Sequence, residues 1–220
     1  MQKSKILVIE PVTHDVKRIR LSRPDGFDYQ VGDATELALD IDDWRDEKRP
    51  FTMTSLPDDP FLEFTIKEYP DHDGVTTRLH DLKAGETILI DEPFKTFRNE
   101  GKGLFIAGGA GITPFLAILR AQREKHSLDG YTLIFANKRT EDIICRDNLA
   151  SMPELKVVHV LSDDDEPGMR HGKVDADLIR SEVDDLDQRF YLCGPPPMME
   201  AVQASLDKLG VKADAIDLSD

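Results

Sequence analysis

The sequence is poor in the residues that build covalent or metal frameworks. Cysteine occurs only twice in 220 residues, as Cys145 and Cys193. Two thiols are too few for a disulfide scaffold, a tetrathiolate zinc site or an iron–sulfur cluster. A reducing compartment, the cytoplasm, is therefore the expected location. The histidines form no HxxH or HxxxH pair, so no metal site is expected. No run of about 18 apolar residues occurs, which excludes an apolar membrane-spanning helix. The apolar run 6–9 is too brief for a signal-peptide core and reads as a first strand.

Positive charge is also scarce. Lys and Arg number 28 against 43 Asp and Glu, for a net charge of −15 at pH 7. Nucleic acid needs a basic footprint, so it is excluded as a partner. The same balance weighs against strong steering of a very acidic protein partner. A hydrophobic content of 40% with 32% charged residues is that of a folding chain, long enough for two domains of about 100 residues.

What the chain does contain changes rhythm near residue 99. Residues 4–98 hold six short apolar runs, at 6–9, 16–21, 35–41, 51–55, 61–67 and 87–90. They are separated by Pro24-Asp25-Gly26, Gly32, Pro57-Asp58-Asp59-Pro60 and Gly85. Short strands with such turns predict a six-stranded antiparallel β-barrel over 1–98. One stretch in it, 75–82 after Gly74, predicts a helix whose start presents backbone N–H groups and the Thr76 and Thr77 hydroxyls. From 99 to 220 strands alternate with helices, which predicts a parallel-sheet α/β domain. Its strands are expected at 104–107, 131–136, 156–161, 189–193 and 215–218, with helices at 114–125, 141–151, 175–181 and 197–209. The polar stretch 93–103 reads as an irregular boundary, and Asp163-Asp164-Asp165 as a solvated loop.

Three short segments carry chemistry. Gly108, Gly109 and Gly111 follow the apolar run Leu104–Ala107, and Thr113-Pro114 reads as an N-cap followed by a first helical residue. Strand, glycine turn and helix start together make an anion cradle in which bare backbone approaches a phosphate. The acidic residue that would hold an adenosine ribose after the next strand is replaced by Asn137-Lys138-Arg139, and Pro114 stands where a third glycine is usual. A second strand-to-helix turn, Cys193-Gly194-Pro195-Pro196-Pro197-Met198, is stiffened by three prolines and puts a thiol where open α/β sheets bind ligands. The third segment is Arg49-Pro50-Phe51-Thr52. A guanidinium can grip a diphosphate by two parallel hydrogen bonds, an aromatic can cover a flat ring, and a hydroxyl can both give and accept a hydrogen bond. Trp44 reads as a loop anchor.

RPFT in a barrel, then GVTTRLHDL, GGAGITP and CGPPPM in that order, resemble the ferredoxin–NADP reductase family over essentially the whole chain. The resemblance implies a flavin-binding barrel followed by an NAD(P)-binding domain, with hydride passing from NADH or NADPH to FAD, or to FMN in its place. Electrons would leave to a separate acceptor such as flavodoxin or ferredoxin. It implies that Arg49 and Pro50 face the flavin pyrophosphate and that Phe51, usually a tyrosine, lies on the isoalloxazine. Thr52 would touch flavin N5, and Ile66 and Lys67 would line the flavin. Gly74, Val75, Thr76 and Thr77 would donate to the pyrophosphate. Gly109, Gly111, Ile112 and Thr113 would hold the nicotinamide nucleotide, flanked by Cys193, Gly194, Pro195 and Met198. Thr52 and Cys193 are the expected catalytic pair. The closing aromatic of the family is replaced by Ile216-Asp217-Leu218-Ser219-Asp220. The segment 135–146 is closer to NADH-using relatives, although Lys138 and Arg139 could neutralise a 2′-phosphate. Two other readings are an electron-transfer subunit of a larger complex and a nucleotide-binding module without reductase activity.

Overall fold

The computed structural model describes residues 1–69 and 74–218. The first half contains β1 (Gln2–Pro11), β2 (Val16–Ser22), β3 (Asp33–Leu39), β4 (Arg49–Thr52) and β5 (Phe61–Lys67). Helix α1 (Val75–Asp81), β6 (Thr87–Ile90) and β7 (Phe94–Lys95) complete it. The strands pair antiparallel in the order β4-β3-β6-β1-β2-β5, with the two-residue β7 added on β3. The two ends nearly meet, for just beyond β4 the Thr54 amide donates to the Glu63 carbonyl of β5 at 2.7 Å. This is the expected six-stranded barrel. Its interior is filled by Leu21, Phe27, Leu37, Met53 and Phe64, and Leu79 of α1 plugs one end. In β2 the pleat sends Ile19 and Leu21 inward while Arg18 and Arg20 stay half-buried outside.

The second half is a parallel sheet of β8 (Gly103–Gly108), β9 (Thr132–Asn137), β10 (Lys156–Leu161), β11 (Arg170–His171), β12 (Arg189–Cys193) and β13 (Ile216–Leu218). Their order is β11-β10-β9-β8-β12-β13. Helices α2 (Thr113–Glu124), α3 (Arg146–Ala150), α4 (Ala176–Glu182) and α5 (Pro196–Lys208) cover it. Strand β8 is buried on both faces. Phe105 joins one apolar layer with Phe115, Phe135 and Tyr191, while Leu104 and Ile106 join another with Phe190 and Val202. Phe105 stacks on Tyr191 with ring centroids 4.2 Å apart and meets Phe115 edge-on at 5.0 Å. No helix among the described residues is long and apolar enough to cross a membrane.

Tertiary contacts override the sequence pattern in four places. Residues 109–112 already form a 3-10 turn that runs straight into α2, so Thr113 is helical (φ −57, ψ −45) and is not the N-cap. The helix expected at 141–151 breaks into a 3-10 turn at Thr140–Asp142 and the short α3. Between them Ile143 is extended (φ −71, ψ 102) and buried, as is Ile144, and Cys145 takes a left-handed φ of 54°, which no helix continues through. The expected irregular boundary holds β7 and the fully buried Phe97, whose amide donates to the Gly32 carbonyl at 3.0 Å. In the acidic run, Asp164 is not merely solvated, because its carboxylate accepts from the Thr140 amide at 2.8 Å.

Phe97 and Val16 leave the barrel to pack in the apolar layer of the second half, with Phe97 edge-on to Phe115 at 5.2 Å. The two halves therefore share one seam.

Candidate functional site

The carboxyl ends of the parallel strands meet the barrel across a single cleft of about 1840 Å³. Strand β4 brings Arg49, Pro50, Phe51 and Thr52 to one wall, and β5 adds Ile66 and Lys67. Gly74, Val75 and Thr76, at the start of α1, stand beside them. Opposite lie Gly109, Gly111 and Thr113 from the first glycine turn, then Cys193, Gly194, Pro195 and Met198 from the second. Segments far apart in sequence thus converge on one cleft.

Two expected residues are not on this surface. Ile112 is fully buried in the apolar layer under the turn. Thr77 is outside the lining, and its hydroxyl donates to the Tyr69 carbonyl at 3.3 Å. Ile66 and Val75 border the cleft, but their side chains are core, at 1% and 2% exposed, so each offers the cleft mainly backbone.

The glycines act differently from expectation. A Cβ on Gly111 would collide with the Cys193 carbonyl and lie 2.7 Å from the Gly194 amide. A Cβ on Gly108 would collide with the Met198 sulfur and sit 3.0 Å from Pro195 Cδ. These two glycines let the two turns press together and are spent on each other. Gly109, at φ +50 with nothing within 4 Å of its absent Cβ, is the glycine open to a ligand.

Charge in the cleft is arranged around the barrel wall. The Arg49 guanidinium is half exposed and donates to its neighbour's carbonyl, Lys48 O, at 2.6 Å. Lys67 Nζ holds Asp15 at 2.6 Å. Burial raises the Asp15 carboxyl, but the hydrogen bonds from Lys67 and Thr13 outweigh it and hold the pKa below the usual carboxylate range. His14 Nε2 lies 3.7 Å from Asp15 and 3.8 Å from Asp142, which belongs to the other half. Sequence gave no signal for the His14–Asp15 corner, because a hairpin turn reaches the cleft only through the fold. Asn137, Lys138, Arg139, Ser162, Asp163 and Lys173 also line the cleft, at the ends of β9 and β10 and near β11. Both amide atoms of Asn137 are buried without a partner.

Cys145 is outside the lining. Burial raises its thiol pKa even though Arg18 Nη2 approaches the sulfur at 3.7 Å. Trp44 packs on the barrel core with the Arg78 guanidinium over its ring at 5.2 Å, which fits a loop anchor.

Residues 105–204 match the oxidoreductase NAD-binding domain family. Over 219 residues the chain is 30% identical to the ferredoxin–NAD(P)(+) reductase component of the naphthalene 1,2-dioxygenase/salicylate 5-hydroxylase systems of a Ralstonia species, covering 95% of this chain and 65% of that protein. The chain is thus similar to ferredoxin reductase-like proteins. The reductase component of propane 2-monooxygenase from Rhodococcus jostii is 28% identical over 97% of this chain and 62% of that one. The chain therefore spans a little under two thirds of the length of these two relatives. The fold matches that of a ferredoxin NADP+ reductase from Neisseria gonorrhoeae with bound FAD and NADP, at a TM-score of 0.86, 22% identity and coverage of 99% and 97% of the two chains. The flavohem-like FAD/NAD binding domain of nitric oxide dioxygenase from Vibrio cholerae matches with a TM-score of 0.88, 20% identity and coverage of 99% and 97%.

Proposed function

We propose that this protein is an NAD(P)H-dependent flavin oxidoreductase, with residues 1–98 as its flavin half and 99–220 as its nucleotide half. When bound, FAD (or FMN) accepts hydride from NADH or NADPH and releases electrons to a separate acceptor, such as a ferredoxin or flavodoxin. The observation that carries the reading is the single cleft in which Arg49–Thr52 faces Gly109 and Cys193.

The residues present fit such a group. Phe51 is half-buried against the barrel core, with a face to offer a flat ring. Arg49 has a half-exposed fork suited to a diphosphate, and Pro50 stiffens the strand beside it. Ile66 and Lys67 offer backbone along the ring, and Gly74, Val75 and Thr76 bring amide donors and a hydroxyl near the phosphates, with Thr77 behind them bonded to Tyr69. Gly109, Gly111 and Thr113 shape the floor for the nicotinamide nucleotide, and Ile112 anchors that floor from the core beneath. Cys193, Gly194, Pro195 and Met198 flank the nicotinamide ring.

The work of the protein is placement. Thr52 Oγ1 would offer the flavin ring a hydrogen bond, and Cys193 would border the nicotinamide. Hydride transfer requires reacting atoms held about 3–3.5 Å apart, and the facing walls of the cleft would supply that placement. No side chain need act as a strong general base. The relatives that are components of oxygenase systems support a protein acceptor. Two free thiols accord with a cytoplasmic setting.

Purified protein titrated with FAD, and then with NADH or NADPH, tests the reading at flavin wavelengths. Uptake of flavin followed by bleaching is expected. Absence of flavin uptake overturns it, and uptake without bleaching by either nucleotide turns the reading to a flavin-carrying module.

A further inference from the structure

We infer that Arg120 and Asp59 form a positioning pair that sets the register between the two halves and hence between their two rings; this rests on the function proposed above. Arg120 projects from α2, and both of its terminal nitrogens reach Asp59, Nη1 to Oδ2 at 2.8 Å and Nη2 to Oδ1 at 2.9 Å. It is a bidentate fork, a geometry that fixes orientation as well as distance. Asp59 belongs to the loop that follows β4, seven residues beyond Thr52, and Arg120 lies seven residues beyond Thr113. Each partner is thus tied by a short piece of chain to one wall of the cleft.

Both pieces are stiff. Residues 113–120 are a continuous helix, a rod of about 10 Å at 1.5 Å per residue. The loop end is braced from within: Asp59 Oδ2 also accepts from the Leu56 amide at 2.8 Å, and the Ser55 hydroxyl meets Tyr29 Oη at 2.8 Å. Arg23 adds a contact to the Asp59 carbonyl at 3.5 Å. Asp59 is mostly buried, at 16% exposed, so water screens the pair only in part.

Among the described residues the rest of the seam holds no other bidentate link. Its apolar contact, Val16 and Phe97 on the second half, resists separation through buried area, with Phe97 edge-on to Phe115. The other polar links are long, His14 to Asp142 at 3.8 Å and Arg18 to the Cys145 sulfur at 3.7 Å. Hydride transfer between rings carried by different halves is sensitive to displacements of an ångström, which can cost on the order of a hundredfold in rate. A fork across the seam is therefore placed to act on rate more than on binding.

The test uses flavin-loaded full chain and the variants Arg120→Gln, Asp59→Asn and the double variant. Asn keeps an acceptor for the Leu56 amide, so the loop brace persists. The rate constant of flavin reduction at saturating NADH or NADPH is read by stopped flow, beside nucleotide Kd and flavin content. Each single variant is expected to lose about tenfold in the rate constant with Kd changed less than about twofold, and the double variant to lose no more than either single. A rate constant unchanged in the singles, additive losses, or losses confined to Kd would overturn the inference. Wild-type protein that takes up no flavin or is not bleached would instead overturn the function itself, so the two failures are separable.

Discussion

The α-carbon of Gly111 sits so close to Cys193 that a single methyl on it would strike the Cys193 carbonyl. The first glycine turn and the second proline-rich turn are therefore one unit. A ligand meets the pair, not either alone. Gly111→Ala must push the turns apart and move Thr113 with them. We expect NAD(P)H affinity or the flavin reduction rate to drop at least about tenfold, with flavin content kept, because the barrel wall is untouched. Stopped-flow reduction over a nucleotide titration checks this, and wild-type kinetics would refute it.

Thr52 separates orientation from binding. Its replacement by Val preserves shape and the β-branch of a strand residue while removing the hydroxyl. Flavin reduction should slow about tenfold or more while flavin affinity holds. An unchanged reduction rate removes Thr52 from the mechanism.

Arg49 should show the opposite split. Hydrogen bonds to a charged group contribute about 1.5–3 kcal/mol, so Arg49→Ala should weaken flavin binding roughly 10- to 100-fold. Reduction of the flavin that remains bound should be close to normal. Equilibrium titration followed by fluorescence measures the first effect, and single-turnover kinetics the second.

The pH dependence of stability carries a signature at His159. Burial, with Arg146 adding to it, holds this imidazole below its ordinary pKa of 6.5, so the folded state prefers the neutral ring. Above 6.5 neither state is protonated and the contribution to stability is fully present. As pH falls below 6.5 the unfolded chain takes up the proton first, and stability declines until the folded pKa is passed. His159→Phe should therefore shrink the loss of Tm between pH 7.5 and 5.5. An identical pH slope in the variant would show that another group sets it.

Asp15 extends the same trend to lower pH. Its carboxyl is held low, with the hydrogen bond from Lys67 foremost among the effects opposing burial. Its contribution is present above the ordinary carboxylate range, about 4, and is lost as pH falls through the lower folded value. Lys67→Met should remove that part of the acid sensitivity, measured as the change in Tm between pH 5 and 3. Equal acid sensitivity in the variant would assign the effect elsewhere.

Local chemistry made much of this protein readable in one dimension. Strands 61–67, 87–90 and 189–193 have the expected bounds because apolar runs between turn residues specify an extended, buried chain on their own. The motif residues Arg49–Thr52, Gly109 and Cys193 are conspicuous because together, in that order, they resemble a known family, which implies their roles. Only the tertiary structure decided what those residues touch. Ile112 sinks into the core because the 3-10 turn at 109–112 aims it there, and the expected helix at 141–151 is broken by extended backbone at Ile143 and a left-handed Cys145. Gly108 and Gly111 serve packing between two turns that are some 85 residues apart in the chain, a separation no local pattern encodes. The Arg120–Asp59 fork and the His14–Asp15 corner belong to the same class. Each depends on how one half of the chain is laid against the other, and that arrangement rests on long-range contacts, the packing of Val16, Phe97 and Phe115 among them, rather than on any short stretch of sequence.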